Sequence, residues 1–392
     1  MSGGETPHAG LKVLELARIL AGPWAGQLLA DLGAEVIKVE SPAGDDTRTW
    51  GPPFVTNPDG SVDAAYFHAC NRGKRSIVAD FTKPADVARV RALAAEADVL
   101  IENFKLGGLA KYGLDFASLT AINPRLVYCS ITGFGQDGPY APRPGYDFVI
   151  QGMSGIMDLT GDPAGEPQKI GVAFADVFTG MYATVAIQAA LAMRERTGRG
   201  QHIDMALFDV MTGVLANQAM NALVGAEQGL PGPTRMGNAH PNVAPYAVFP
   251  VSDGWFILAV GNDSQFRNCC TVLGLLTERD DPHFASNGGR IDHRAALTEA
   301  IAGATRQWRR DELLAALEAA NVPAGPINSV EQALVDPQIA ARGMVVASAT
   351  PDGRHIPGVR APIRFSEAVL ATGRAAPIKG GDDATLTGFS GI

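Results

Sequence analysis

Short apolar segments alternate with amphipathic ones from the start of the chain to Thr132, and this rhythm restricts the possible folds more than any single motif. Residues 11–16 read as a strand, 23–32 as a helix and 35–39 as a second strand, with Gly33 placed where a helix C-cap glycine belongs. The pattern resumes with a strand at 76–80, a helix at 84–96 that Pro84 opens, and a strand at 99–102. Short helices then lead to residue 123, followed by a strand at 126–131. Such alternation predicts an α/β architecture, a parallel sheet with helices on both faces.

The rhythm breaks after Thr132. Glycines and prolines punctuate residues 133–172 around one short helix near 145–155, and long loops of this kind often carry function. Residues 179–193 then run without charge until Arg194, Glu195 and Arg196, which reads as a long buried helix. Asp176 stands at its head. A carboxylate there meets the positive end of the helix dipole and is expected to stay ionised. Two roles suit it, a helix cap or a nucleophile.

A strand at 201–206 and a linker at 225–233 follow, then a hairpin of 245–250 and 255–260 around Ser252, Asp253 and Gly254. Helices are expected at 294–307 and 310–319, and a tail strand at 344–349 is expected to return to the first domain. The predicted organisation is a large domain of 1–224 plus 331–392 and a smaller α+β domain of 225–330.

The formal charge of −9, with no basic block, argues against general nucleic-acid binding. Residues 1–10 lack the pattern of a secretory signal, and the apolar run at 185–193 is too short to span a bilayer. Cys70, Cys129, Cys269 and Cys270 have no metal-ligand spacing and read as reduced thiols. The expectation is a cytoplasmic protein without metal or membrane partner.

Residues 133–138 match GxGxxG, but Pro139, Pro142 and Pro144 forbid the long helix that a dinucleotide fingerprint must open. Lys38, Lys74, Arg75, Lys105 and Lys111 are candidates to hold a polyanionic nucleotide at the sheet's carboxyl edge, with Phe104 against a base. Arg48, beside Trp50 and Phe54, suits a clamp on a small carboxylate; an ion pair with Asp45 or Asp46 is the other reading. Arg235 and His240 are candidate lining residues.

Taken in order, Leu20-Ala-Gly-Pro23, the segment 31–40, Gly44-Asp-Asp-Thr-Arg48, Asn71-Arg-Gly-Lys-Arg-Ser76, Glu102-Asn-Phe104, Gly145-Tyr-Asp147, Ala175-Asp176 and Thr197-Gly-Arg-Gly-Gln201 resemble the class III CoA-transferase family over nearly the whole chain. The resemblance implies a Rossmann-like large domain and a small domain in an interlocked homodimer. It implies that Asp176 attacks an acyl-CoA thioester and passes through an aspartyl-CoA thioester. CoA thioesters are then substrates, and no tightly bound cofactor is expected.

By the same resemblance Ile19, Leu20, Ala21, Lys74, Arg75, Asn103, Phe104 and Lys111 contact CoA, with Lys105 beside them. Backbone N–H groups near Gly22 or Gly135 are candidate oxyanion donors. One departure concerns Ser41, where formyl-CoA transferase has an arginine. The related α-methylacyl-CoA racemases carry a histidine where this chain has Tyr146, so proton transfer beside the thioester lacks a base here. A non-catalytic CoA-binding protein is the third reading. Segments 45–54, 128–133, 245–246 and 325–328 resemble the succinyl-CoA:glutarate branch, whose relatives use malate, citramalate or itaconate. Arg48, Arg72 and Arg235 are then candidates for a distal carboxylate.

Overall fold

The computed structural model describes residues 5–389. Six parallel strands form the main sheet: β1 (Lys12–Glu15), β2 (Glu35–Glu40), β3 (Arg75–Val78), β4 (Val99–Glu102), β5 (Val127–Thr132) and β6 (His202–Ala206). Their spatial order is β3-β2-β1-β4-β5-β6. The direction of winding therefore reverses between β1 and β4. In open α/β sheets this is where a crevice opens beyond the strands' carboxyl ends and ligands bind.

Alternate side chains of each strand feed two separate cores. Val13, Val99, Ile101 and Cys129 face one side, against Ala25 and Leu29 of the Ala21–Asp31 helix and Ala183 and Ile187 of the Phe174–Thr197 helix. Leu14, Ile37, Leu100 and Tyr128 face the other, against Val90 and Leu93 of the Pro84–Glu96 helix. The first two helices cross closely at Gly180, where an added Cβ would lie 2.6 Å from the Ala21 carbonyl oxygen and 3.0 Å from the Trp24 Cβ.

The Phe174–Thr197 helix is longer than the uncharged run suggested, and with 24 residues it is apolar enough by composition to cross a membrane. It is instead a core helix along one side and exposed along the other, where Met181, Tyr182 and Val185 lie open. The expectation of a wholly buried helix is corrected accordingly.

The far edge of the sheet is closed by the chain's own tail. Asp382 Oδ2 accepts the Ser76 N–H at 2.9 Å, and the Asp383 carboxylate accepts the Val78 N–H at 3.2 Å. Otherwise these strand donors would stand open.

By internal contacts the chain divides into two compact units, one holding residues up to 156, 169–219 and from 337 onward, the other 157–168 and 220–336. The second unit includes the short segment 157–168 because Arg235 bonds to Asp158 and to the carbonyls of Asp162 and Gly165. Within it, the hairpin Tyr246–Val251 and Gly254–Ala259 pairs with Ala324–Pro326 over a core that includes Phe249, Phe256, Phe266, Leu297 and Leu313.

Candidate active site

At the winding reversal the chain leaves β1 through Leu16–Leu20 and enters the Ala21–Asp31 helix. Ile19 takes a left-handed conformation there, with φ 72°, an outlier for a β-branched residue. Such strain persists only when its surroundings fix it. Here both Asp45 carboxylate oxygens accept the Ile19 N–H at 3.3 Å, and Asp45 is paired with Lys38 at 2.9 Å. Lys38 also bonds to Glu15 at 3.0 Å, and Glu15 pairs with Lys74 at 2.8 Å. Burial opposes the charge on Lys38, but the Glu15, Asp45 and Glu40 carboxylates outweigh it and raise its pKa.

This chain of buried charges corrects several expectations. Lys38 and Lys74 are fully buried, paired with carboxylates and brace the β1 loop from below, so neither offers a free charge to a nucleotide. Arg75 pairs with Glu35 at 2.8 Å and Asp382 at 3.3 Å, and it opens β3 at the strand's amino end. Lys111 lies exposed with its ammonium 4.7 Å from the Tyr112 ring centre. Arg48 is 6% exposed, paired with Glu40 at 2.7 Å and Asp63 at 2.8 Å, and stacked 3.6 Å from the Phe67 ring centre. Arg72 is committed to Asp31 at 2.6 Å and to the Val359 carbonyl. These two arginines hold the fold rather than a substrate carboxylate. Arg235 lies in the second unit against Asp158, and there the His240 Nδ1 accepts the Asn242 N–H.

The residues that do converge line a cavity of about 170 Å³ beyond β1, β4 and β5. Ile19, Leu20, Ala21, Asn103, Phe104, Lys105, Tyr146 and Asp176 all contribute, together with Arg18 and Arg143, which sequence reasoning missed. Asn103 is fixed by a reciprocal pair of bonds to the Arg18 backbone, at 3.0 and 2.7 Å. The buried Glu102 carboxylate holds the Phe104 N–H at 2.7 Å. A second cavity of about 260 Å³ shares Arg18 and Phe104 and runs over the ends of β2 and β3 past Phe81 and Tyr112.

Asp176 enters the first cavity from the opening turn of its helix, whose N-cap residue, Ala173, supplies no side-chain bond. The cap comes from elsewhere: Asp147 Oδ1 accepts the Ala175 N–H at 2.8 Å and the Asp176 N–H at 3.4 Å. Gln151 in turn bonds Asp147 at 2.8 Å. Asp176 is thus relieved of the capping role. The expectation that it stays firmly ionised is overturned as well, because burial and then the Asp147 charge push its pKa up to about 7. Burial and then the Asp176 charge push the Tyr66 phenol up to about 12, so it remains a proton donor.

Of the two oxyanion candidates, the Gly135 N–H is bound to Thr132 Oγ1 at 2.8 Å. Gly22 lies in the first turn of the Ala21–Asp31 helix, which has no side-chain cap and whose first N–H groups lack intrahelical acceptors. Only glycine fits there, since a Cβ would lie 2.3 Å from the Ala17 Cβ.

Asp176 thus stands as a carboxylate in the crevice where the winding of a parallel α/β sheet reverses. Residues 9–383 match the model of CoA-transferase family III, and the chain belongs to that family. It is 56% identical to a succinate–glutarate CoA-transferase of Agrobacterium fabrum over 96% of this chain and 94% of that one. It is 38% identical to the human succinyl-CoA:glutarate CoA-transferase over 95% of this chain and 84% of that one. A crystal structure of a CaiB/BaiF family protein from Brucella suis superposes with a TM-score of 0.87 at 62% identity, covering 97% of this chain and 98% of that one.

Proposed function

We propose that this CoA-transferase moves CoA from succinyl-CoA to glutarate or a similar small dicarboxylate, with Asp176 as the covalent carrier. The observation behind this reading is the position of Asp176, relieved of capping by Asp147 and placed in the cavity that Asn103 and Phe104 also line. The substrate assignment takes its support from the names of the 56% and 38% identical relatives.

In the first step an Asp176 oxygen attacks the thioester carbonyl, the C–S bond breaks, and a mixed anhydride and CoA thiolate result. The thiolate then attacks the aspartyl carbonyl and releases the donor acid, leaving an Asp176–CoA thioester. The acceptor carboxylate attacks that thioester to form a new anhydride, and the returning thiolate takes its acyl group. Splitting one exchange into these steps conserves the thioester's energy throughout. We assign the stabilisation of the tetrahedral oxyanions to the first-turn N–H of Gly22, supported by the absence of a side-chain cap on its helix. Asn103, Phe104 and Lys105 hold the pantetheine and phosphates, while the cavity past Tyr112 receives the nucleotide.

A cavity of about 170 Å³ lies below the roughly 300–1,000 Å³ of drug-sized pockets. It therefore takes the reacting end and a small acid rather than the whole coenzyme. We place the enzyme in the cytoplasm as a homodimer. Four free, buried cysteines suit a reducing compartment. The open apolar face of the Phe174–Thr197 helix suits a second copy of the chain.

The test is mass spectrometry of the protein incubated with succinyl-CoA alone and trapped with hydroxylamine. The Asp176 peptide is expected to carry the modification, and Asp176→Asn to carry none. A wild-type enzyme that stays unmodified overturns the reading.

A further inference from the structure

With Arg48 and Arg72 committed to buried carboxylates, the second carboxylate of a dicarboxylate substrate lacks its expected partner. Among the cations lining the Asp176 cavity, Arg18 is paired with Asp46 at 2.8 Å and Lys105 is an exposed point charge. Arg143 is exposed as well, but it is a fork held against aromatic rings.

Its guanidinium carbon lies 4.5 Å from the Tyr140 ring centre and 5.5 Å from that of Phe134. Phe134 is buried, edge-on to Tyr140 at 5.6 Å and packed on Phe208 at 5.8 Å, so the platform is anchored in the core. Pro142 and Pro144 flank Arg143 and narrow the backbone on both sides. Among the described residues no carboxylate pairs with it. Stacking occupies the faces of a guanidinium and leaves its N–H edges, the side that receives a carboxylate in a two-pronged fork.

We infer that Arg143 is the specificity-determining residue that binds the distal carboxylate of the acid. This rests on the dicarboxylate reading above. Its stiff backbone and aromatic platform hold the fork in place before substrate arrives, which reduces the ordering cost of binding. A monocarboxylate of equal length reaches Asp176 but leaves this fork empty.

The test uses the full-length enzyme and its Arg143→Gln and Arg143→Lys variants, with glutarate and pentanoate as acceptors and free CoA as a binding probe. Arg143→Gln is expected to raise KM for glutarate by about 10- to 100-fold, the range of a lost charge-assisted hydrogen bond. The preference for glutarate over pentanoate falls by a similar factor, and Arg143→Lys recovers only part of it. Affinity for CoA stays within about twofold.

A glutarate KM within about twofold of wild type overturns the assignment. So does weakened CoA binding with the glutarate preference intact, which gives Arg143 to the coenzyme's phosphates. Failure of the underlying reading shows separately, as a wild-type enzyme that leaves Asp176 unmodified or is modified but uses no dicarboxylate; either also overturns the assignment.

Discussion

In the proposed mechanism Asp147 and Asp176 divide two tasks that one carboxylate cannot perform together. The cap must accept backbone N–H groups on its oxygen, and the proposed nucleophile must keep its lone pairs for the thioester. Their closeness has a kinetic consequence. The nucleophile must be ionised, so kcat/KM for the acyl-CoA is expected to rise with pH through about 7, following Asp176. Asp147→Asn keeps an oxygen for the Ala175 N–H but removes the negative charge, so the rising limb moves to lower pH. Asp147→Ala moves it likewise and in addition loses about 1 kcal/mol of stability with the cap. A pH–rate profile that is identical in all three proteins contradicts this coupling. Asp176 is conspicuous in the sequence as a lone acid in an apolar run, and its place in the cavity is what the structure adds. Its cap was not legible there, since the bond joins residues 28 positions apart. Lys38 and Lys74 misled for a similar reason: their partner Glu15 lies 23 and 59 positions away, and nothing local distinguishes a buried lysine from a binding one.

At the scale of elements, periodicity served well wherever local pattern and burial agree. The helix at Pro84–Glu96 and the strand at Val99–Glu102 are as expected, and Gly33 does take a positive φ of 102° after its helix. Strand order is a different matter, because lateral neighbours are set by pairing between distant segments rather than by any one of them. The small hairpin of Phe54–Thr56 and Val62–Ala64 escaped notice as well, being too short to show a period. The crossing of the Ala21–Asp31 and Phe174–Thr197 helices joins the proposed oxyanion donor to the proposed nucleophile. Gly180 sets their separation. Gly180→Ala is expected to destabilise the protein by about 1–3 kcal/mol in chemical denaturation, the usual cost of overpacking. It should also lower kcat, since moving one helix displaces Asp176 from Gly22. Full activity and unchanged stability in this variant speak against a tight crossing.

In the whole molecule, the hairpin expected at 245–260 falls within the second compact unit, which holds residues 157–168 and 220–336. Segment 157–168 lies in that unit, where the distant Arg235 bonds to Asp158 and to the carbonyls of Asp162 and Gly165. The homodimer has a direct measurement. Sedimentation is expected at twice the 41.0 kDa chain mass, and Val185→Glu, on a side chain 65% exposed here, shifts the enzyme toward the monomer. A wild-type enzyme that sediments as a single chain rules the proposal out. The closure of the sheet by Asp382 and Asp383 also bears on biogenesis. On the ribosome β3 emerges some three hundred residues before the carboxylates that cover its donors. The growing chain therefore carries an open sheet edge until residues 382 and 383 have emerged, and those two carboxylates are among the groups that make the domain safe from pairing with its neighbours.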